Sequence, residues 1–228
     1  MKPGLVLAIG GALLAACLLA TACGGGGDEG KQDDIQALLQ GMVLTPSDLP
    51  QGLQQAFASF STNKDVADAT VDPEATLAKL EARGRQLGYD VQFEPAQDAP
   101  GTLVVQGMQN TASLYKTAAG AGEALAEGVS GARATDWKTV YSDQSDVKMD
   151  ELPLPSGTDE GAWFRISGAD ADGNLIIDDQ VAFRVNNVRG FVRVLTAFAG
   201  GQDRNGYRDE VGRWVSVVAT RIKDALQH

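Results

Sequence analysis

Cysteine is nearly absent, and its placement limits what it can do. The only two, Cys17 and Cys23, fall at the start of a chain of 228 residues. From Gly24 onward there is none. A disulfide framework, a thiolate metal site and cysteine catalysis are excluded from that stretch, so its stability must come from packing. Histidine is scarcer still. The one His228 occupies the final position of the sequence, where fraying is expected, so neither a Ser-His-Asp arrangement nor a histidine metal site can be built around it. Positive charge is also short: 19 Lys and Arg against 30 Asp and Glu give a formal charge of −11. So acidic a surface is poorly matched to nucleic acid or to an anionic bilayer face. No Gly-rich loop has the strand-to-helix spacing that cradles a nucleotide phosphate, and no residue pattern calls for a cofactor.

What is present begins with an export signal. Met1-Lys2 is a short positive start, residues 4–19 are apolar and uncharged, and Ala20-Thr21-Ala22-Cys23 closes the run. Small residues before the cut suit a signal peptidase. The same four residues fit an ordinary signal cut after Ala22 and a lipobox, in which Cys23 becomes a diacylated N-terminus carrying palmitate-type chains. Leu14-Ala15-Ala16-Cys17 is a second lipobox, with Leu three residues before Cys17. Cys23 is preferred, because cutting before Cys17 would leave Leu18-Leu19-Ala20 on the mature chain. A third reading keeps the run as an uncleaved anchor helix, since it approaches the ~20 residues that span hydrocarbon. Residues 1–22 are therefore expected to be a lipoprotein signal, and 23–32 the lipidated Cys with its tether from Gly24-Gly25-Gly26-Gly27. Residues 33–228 form one α+β domain. A tether of this kind reaches roughly 15–18 Å.

Within the domain, Asp33 to Leu39 predicts a short helix with acids in its first turn. Thr45-Pro46 predicts a capped turn, and residues 53–61 a strand. Asp72-Pro73-Glu74 opens a helix with Leu77, Leu80 and Leu87 on one face, a Glu81–Arg85 pair and a stop at Gly88. Tyr89, Val91 and Phe93 alternate as a strand. Residues 102–116 read as a hairpin turned at Gln109-Asn110, followed by an Ala- and Gly-rich helix over 118–130 with Gly120, Ala124 and Gly128 on a flat face. Residues 133–158 are irregular, with a strand near Val147-Met149. Strands at 162–166, 175–185 and 188–198 form a meander with turns at Asp172-Gly173-Asn174 and Asn186-Asn187. The last helix carries the stripe Tyr207, Val211, Trp214, Val215, Val218, Ile222 and Leu226. The fold class is a central antiparallel sheet with helices packed on it, an α/β sandwich. The two hairpins, each followed by a helix, raise the possibility of an internal repeat.

Candidate sites are few. Asp170, Asp172 and Asn174 place oxygens at alternate positions as in a calcium loop. Leu175 stands where such a loop needs Gly and Val181 where it needs Glu, so an Asp-Gly turn with solvated acids is the favoured reading. Arg165, Arg184 and Arg193 lie on three successive strands. If they shared a face they would form an anion site, and otherwise a polar outer face balanced by Asp178, Asp179 and the acidic loops. The pair Asp159-Glu160 is expected to be solvated. Trp163 and Trp214 are expected in the core, and Trp137, in a polar segment, exposed as a contact.

These features together resemble a family. The lipobox and Gly tether, Ser47-Asp48-Leu49-Pro50-x-Gly52-Leu53, and Gly88-Tyr89-x-Val91-x-Phe93 resemble uncharacterised bacterial lipoproteins. So do Gly157-x-x-Glu160-x-Ala162-Trp163-Phe164, the Asn186-Asn187 hairpin and the closing helix. The order of elements is similar to PsbP-like domains and to extracellular sensor domains of bacterial Ser/Thr kinases, from which this chain departs by lacking disulfide cysteines. The resemblance implies a non-enzymatic domain tethered at the outer face of a membrane. It assigns a role to Cys23 alone. The expected function is binding of a small ligand or an envelope protein. The alternatives are an exported hydrolase using carboxylates only, or a purely structural envelope protein.

Overall fold

A computed structural model describes residues 29–199 and 206–227. The leader with both cysteines, residues 24–28 and the Gly200-Gly201 loop lie outside the described residues. Helix α1 (Glu29–Gly41) begins inside the stretch whose composition suggests a tether, so Asp33 and Asp34 sit in its middle rather than its first turn. Its Leu39 and the following Met42, Val43 and Leu44 are buried. A short 3-10 turn, Pro46–Asp48, then leads to strand β1 (Leu53–Ser61). Helix α2 (Asn63–Asp68) is capped by Thr62, and helix α3 (Pro73–Ala82) by Asp72, whose carboxylate accepts the Ala75 N–H at 3.1 Å.

Helix α3 stops earlier than its leucine spacing predicts. Gly84 adopts φ +71° and turns the chain, and strand β2 runs from Arg85 to Pro95. Leu87 is therefore a strand residue, and the predicted Glu81–Arg85 helix pair does not exist. Spacing of seven residues between Leu80 and Leu87 fits a helix by coincidence. The pairing of β2 with strands on both sides outweighs it. The predicted hairpin at Gln109-Asn110 is also absent, because β3 is one continuous strand, Val105–Tyr115. Asn110 is fully buried in its middle. It accepts the Leu44 N–H at 2.8 Å and donates to the Phe191 carbonyl at 3.0 Å. A polar pair in the sequence is here a clamp between the N-terminal segment and the sheet. The hairpin before α4 is instead the β2–β3 pair, joined through residues 96–104.

Helix α4 (Ala118–Ala134) is followed by the short α5 (Trp137–Val140) and by β4 (Ser145–Leu152), so the segment expected to be irregular holds a strand longer than Val147-Met149 alone. Strands β5 (Glu160–Ala169), β6 (Leu175–Val185) and β7 (Val188–Phe198) form the expected meander, with Gly173 at φ +78° and Asn186 at φ +52° in its turns. Helix α6 (Gly206–Ala225) closes the fold. Among the described residues, no helix is long and apolar enough to cross a membrane.

The sheet has seven strands in the order β1-β2-β3-β7-β6-β5-β4, all antiparallel. Two meanders are thus zipped together by the β3–β7 pair. Helices α1 and α6 cover one face. There Val211, Trp214, Val215, Val218 and Ile222 are fully buried against Trp163, Val181, Phe183, Val192 and Val194. Helix α4 covers only part of the other face, across β3, β7, β6 and β5. Leu125 and Val129 seal a smaller core there with Phe164, Ile166 and Val147. Phe57, on edge strand β1, is 42% exposed, and Asp90, Gln92, Gln109 and Thr111 on β2 and β3 are half-buried.

The Ser47-Asp48-Leu49-Pro50 motif has a structural role. The Asp48 carboxylate accepts Arg221 of α6 at 2.8 and 3.0 Å and the Thr45 N–H at 2.7 Å. The Asp48 carbonyl accepts the Trp214 indole N–H at 3.1 Å. The turn therefore bolts the N-terminal segment to the last helix.

Candidate functional site

Strand register separates the three arginines singled out from the sequence. Arg165 stands opposite Asp179 and points to the α6 face, with Trp163 and Val181. Arg193, opposite Gln180, and Arg184, opposite Arg189, point to the α4 face. The three do not line one face. Adjacent strand residues alternate sides, so Asp178 and Asp179 diverge as well. Neither acid is solvated, contrary to expectation: both are 1% exposed.

Each acid is matched to its own arginine. The Asp179 carboxylate accepts two bonds from Arg165, both at 2.9 Å, and the Trp163 indole N–H at 2.7 Å. Asp178 accepts Arg193 at 2.8 and 3.0 Å, Gln180 at 2.9 Å, and the Tyr141 hydroxyl. Burial pushes the Tyr141 phenol well above its ordinary value, and the Asp178 charge adds to the effect. Burial pulls the Arg193 guanidinium down, but its bonds to Asp178 outweigh that and leave it raised. Arg184 binds Glu160, Asp159 at 3.2 Å and the Asn186 carbonyl at 2.7 Å, so Asp159 and Glu160 are the partners of one guanidinium, not a free acid pair.

The calcium-like segment is a turn. Asp170 Oδ1 accepts the Asp172 and Asn174 backbone N–H groups at 2.9 and 2.8 Å, and Oδ2 accepts the Asn174 side-chain amide at 3.0 Å. These bonds hold its carboxyl below the ordinary range, the Asn174 amide contributing most. Asp172 and Asn174 thus serve the β5–β6 connection. Trp137 is half-buried rather than free. Its indole N–H caps the Ala132 carbonyl at 3.1 Å, and its ring stacks on Tyr141. Trp163 and Trp214 are core residues, as expected.

Arg85 and Arg189, which have no bonded carboxylate among the described residues, lie elsewhere, on the α4 face. Arg85 begins β2 and is 94% buried, at 6% exposure. Its guanidinium donates to the Ser61 carbonyl at 3.0 Å, the Ser61 hydroxyl at 2.9 Å and the Asn63 side-chain oxygen at 3.1 Å, all neutral acceptors. It lies over Gly88, where any Cβ would stand 2.3 Å from Nη2. The Ser113 hydroxyl borders the same spot. Next to Ser113 in the register, on β7, stands Arg189. Its Nε is buried without a hydrogen-bond partner among the described residues. Burial pushes the Arg85 guanidinium below its ordinary value; Tyr115 and Asp90 oppose that, and the charge of Arg189 adds a smaller downward push.

Helix α4 forms the roof of this corner. Ala121 and Ala124 rest on Tyr115 of β3. Gly128 continues that side of the helix, and a Cβ on it would stand 3.0 Å from Arg189 Nη2. Gly128 is nonetheless exposed, so the space beside Arg189 opens to solvent. The acids of α4 face away: Glu127 binds Lys79 at 3.0 Å and also Arg83 of the α3 end. The corner therefore converges two guanidinium groups and a serine hydroxyl, rich in donors and poor in acceptors. Sequence reasoning missed it, because Arg85 was placed on a helix and Arg189 has no motif around it. A shallow cleft of about 420 Å³ lies nearby between α2 and α3, lined by Asn63, Lys64, Asp68, Glu74 and Leu77.

No family model and no curated protein matches this chain. Among solved structures it is similar to the extracellular domain of PknH from Mycobacterium tuberculosis, with a TM-score of 0.48 and 12% identity. The likeness covers 84% of this chain and 96% of that one.

Proposed function

We propose that this chain is an exported lipoprotein, held to the outer face of a membrane through Cys23, whose domain binds a ligand or envelope partner without performing chemistry on it. The anchor is supported by the apolar leader, the Ala20-Thr21-Ala22-Cys23 lipobox and the Gly24–Gly27 tether. Binding is supported by one observation above the others. The α4 face carries a donor-rich corner whose two arginines have no bound carboxylate among the described residues, in a chain with an excess of acid. Buried charge without a partner is costly, and such sites are arranged for something that supplies the missing charge. A carboxylate hydrolase needs two free acids facing one cleft. The most buried acids, Asp178 and Asp179, face opposite ways and each is engaged by an arginine.

Palmitate incorporation in a host with lipoprotein processing tests the anchor. Wild type should take up label and Cys23→Ala should not. Label that persists in Cys23→Ala and vanishes in Cys17→Ala would move the anchor to Cys17, and absence of label from wild type would reject lipidation. Native mass spectrometry of the chain taken from envelope extracts tests binding. Recovery with no retained small molecule and no companion protein would favour the purely structural alternative.

A further inference from the structure

We infer that Arg85, Ser113 and Arg189 form a binding site for a phosphate group, free or esterified on an envelope molecule. The inference deepens the ligand-binding reading and rests on it. Three observations converge. Arg85 is 94% buried yet bonded only to neutral oxygens. Arg189 keeps a buried Nε unpaired. The two arginines flank Ser113: Arg85 Nη2 lies over Gly88, the partner of Ser113 on β2, and Arg189 is its partner on β7.

Elsewhere on the sheet an arginine facing inward has a carboxylate bonded to it: Arg165 has Asp179, Arg193 has Asp178, and Arg184 has Asp159 and Glu160. Among the described residues, no acid is bonded to the arginines of this corner. Two acids act on Arg85 by charge without a hydrogen bond to it: the Asp90 carboxylate accepts Thr111 and Gln109, and the Asp65 carboxylate accepts the Thr62 N–H and hydroxyl. Glu123 and Glu127 of the roof helix turn to Arg83 and Lys79. An anion entering beside Gly128 would take the free Arg189 donors and the Ser113 hydroxyl and neutralise Arg85. Donors from separate strands, approaching from different sides, suit a tetrahedral group with several acceptor oxygens. A planar carboxylate is satisfied by one guanidinium fork. Gly88 and Gly128 make room for the two guanidinium groups: a Cβ would stand 2.3 Å from Arg85 Nη2 at the first and 3.0 Å from Arg189 Nη2 at the second.

The test uses the full chain in detergent and inorganic phosphate as the probe, with chloride at matched ionic strength as reference. The melting temperature should rise by roughly 5–10 °C once phosphate exceeds its dissociation constant about a hundredfold. Arg189→Gln breaks no hydrogen bond among the described residues and should abolish the rise, while Ser113→Ala should weaken it. Arg85→Gln also unties Ser61 and Asn63, so a loss of folding there decides nothing, and Arg189→Gln carries the test. Glycerol phosphate run in parallel separates the sources. Binding stronger than that of inorganic phosphate assigns the site to an esterified ligand, and the reverse to free phosphate, with the proposal upheld in both. The proposal is overturned if phosphate does no more than chloride, if acetate does as much as phosphate, or if Arg189→Gln responds like wild type. Those failures would leave palmitate labelling and ligand retention untouched, so they are distinguishable from failure of the lipoprotein reading.

Discussion

Replacing Trp214 by alanine tests the main core directly. Its side chain is fully buried in the middle of the α6 stripe, with Tyr207 edge-on at 6.0 Å between ring centres. Its indole N–H donates to the Asp48 carbonyl at 3.1 Å, so it also ties the N-terminal turn to the helix. Truncating a buried aromatic costs about 3–5 kcal/mol, the sum of lost transfer energy and the cavity left behind. The hydrogen bond contributes roughly 0.5–1.5 kcal/mol of that. Trp214→Phe keeps most of the ring and loses the donor, so it should cost about 1–2 kcal/mol. For a domain of this size each kcal/mol moves the melting temperature by about 2–4 °C. Trp214→Ala should therefore melt about 6–20 °C lower and Trp214→Phe a few degrees lower. Urea unfolding followed by far-UV circular dichroism reads both midpoints. Trp137→Ala, half-buried on the smaller core, is the reference and should cost less. A midpoint for Trp214→Ala within experimental error of wild type would refute the packing of α6 on the sheet.

Three further outcomes follow from other parts of the fold. Asp179→Leu alone should cost about 3–5 kcal/mol in urea unfolding, because it strands Arg165 and the Trp163 indole. Adding Arg165→Leu should recover much of that loss, since a buried pair replaced whole by apolar groups is often near neutral. Gly120→Ala would put a methyl group 1.9 Å from the Arg83 carbonyl and should destabilise by about 1–3 kcal/mol in thermal melts, whereas Gly131→Ala on the same helix meets nothing within 4 Å and should stabilise by about 0.4–1 kcal/mol. At Asp48, burial pushes the carboxyl up, but bonds from the Thr45 N–H and from Arg221 outweigh it and hold it below its ordinary value. Its folded pKa is depressed, so its contribution is whole above about pH 4–5 and is lost as pH falls through the folded value, and Asp48→Asn should flatten that acid limb in a stability–pH titration.

The C-terminal third was legible because local signals there agree with tertiary demand. The Asp172-Gly173-Asn174 and Asn186-Asn187 turns, the alternation of β5 to β7 and the α6 stripe each specify one geometry, and the sheet needs that geometry. The alternation of Tyr89, Val91 and Phe93 was legible as well, but the start of β2 and the middle of β3 were not, because two local signals pointed away from the geometry the sheet needs. Leu80 and Leu87 happen to fit a helical period, and Gln109-Asn110 has the chemistry of a turn. In both places strand pairing decided, and neither the position of β2 between β1 and β3 nor the pairing of β3 with β7 is written in neighbouring residues. Asn110 shows the physical reason. An amide looks like a turn former until a backbone N–H and a carbonyl from distant segments are brought to it in a dry interior, where it satisfies both.

Charge tells the same story more sharply. Arg165, Arg184 and Arg193 attracted notice because they recur on consecutive strands, yet the period of 2 along each strand and the register between strands decide which face each one takes. Register sends Arg165 to one side and the other two to the opposite side, and gives each a carboxylate. The same rule brings Arg85, Ser113 and Arg189 together from positions with no shared motif. Arg85 would be a helix-surface residue under the predicted α3. It becomes an interior cation only because Gly84 ends the helix and Gly88 leaves room over the sheet. What separates the structural arginines from the candidate binding pair is therefore not residue type, spacing or burial, since all of them are at least partly covered. It is whether a carboxylate of this chain answers the charge. Where one does, as at Asp178 and Asp179, the pair holds the sheet together. Where none does among the described residues, as in the corner beneath α4, the charge is left for the phosphate group proposed above.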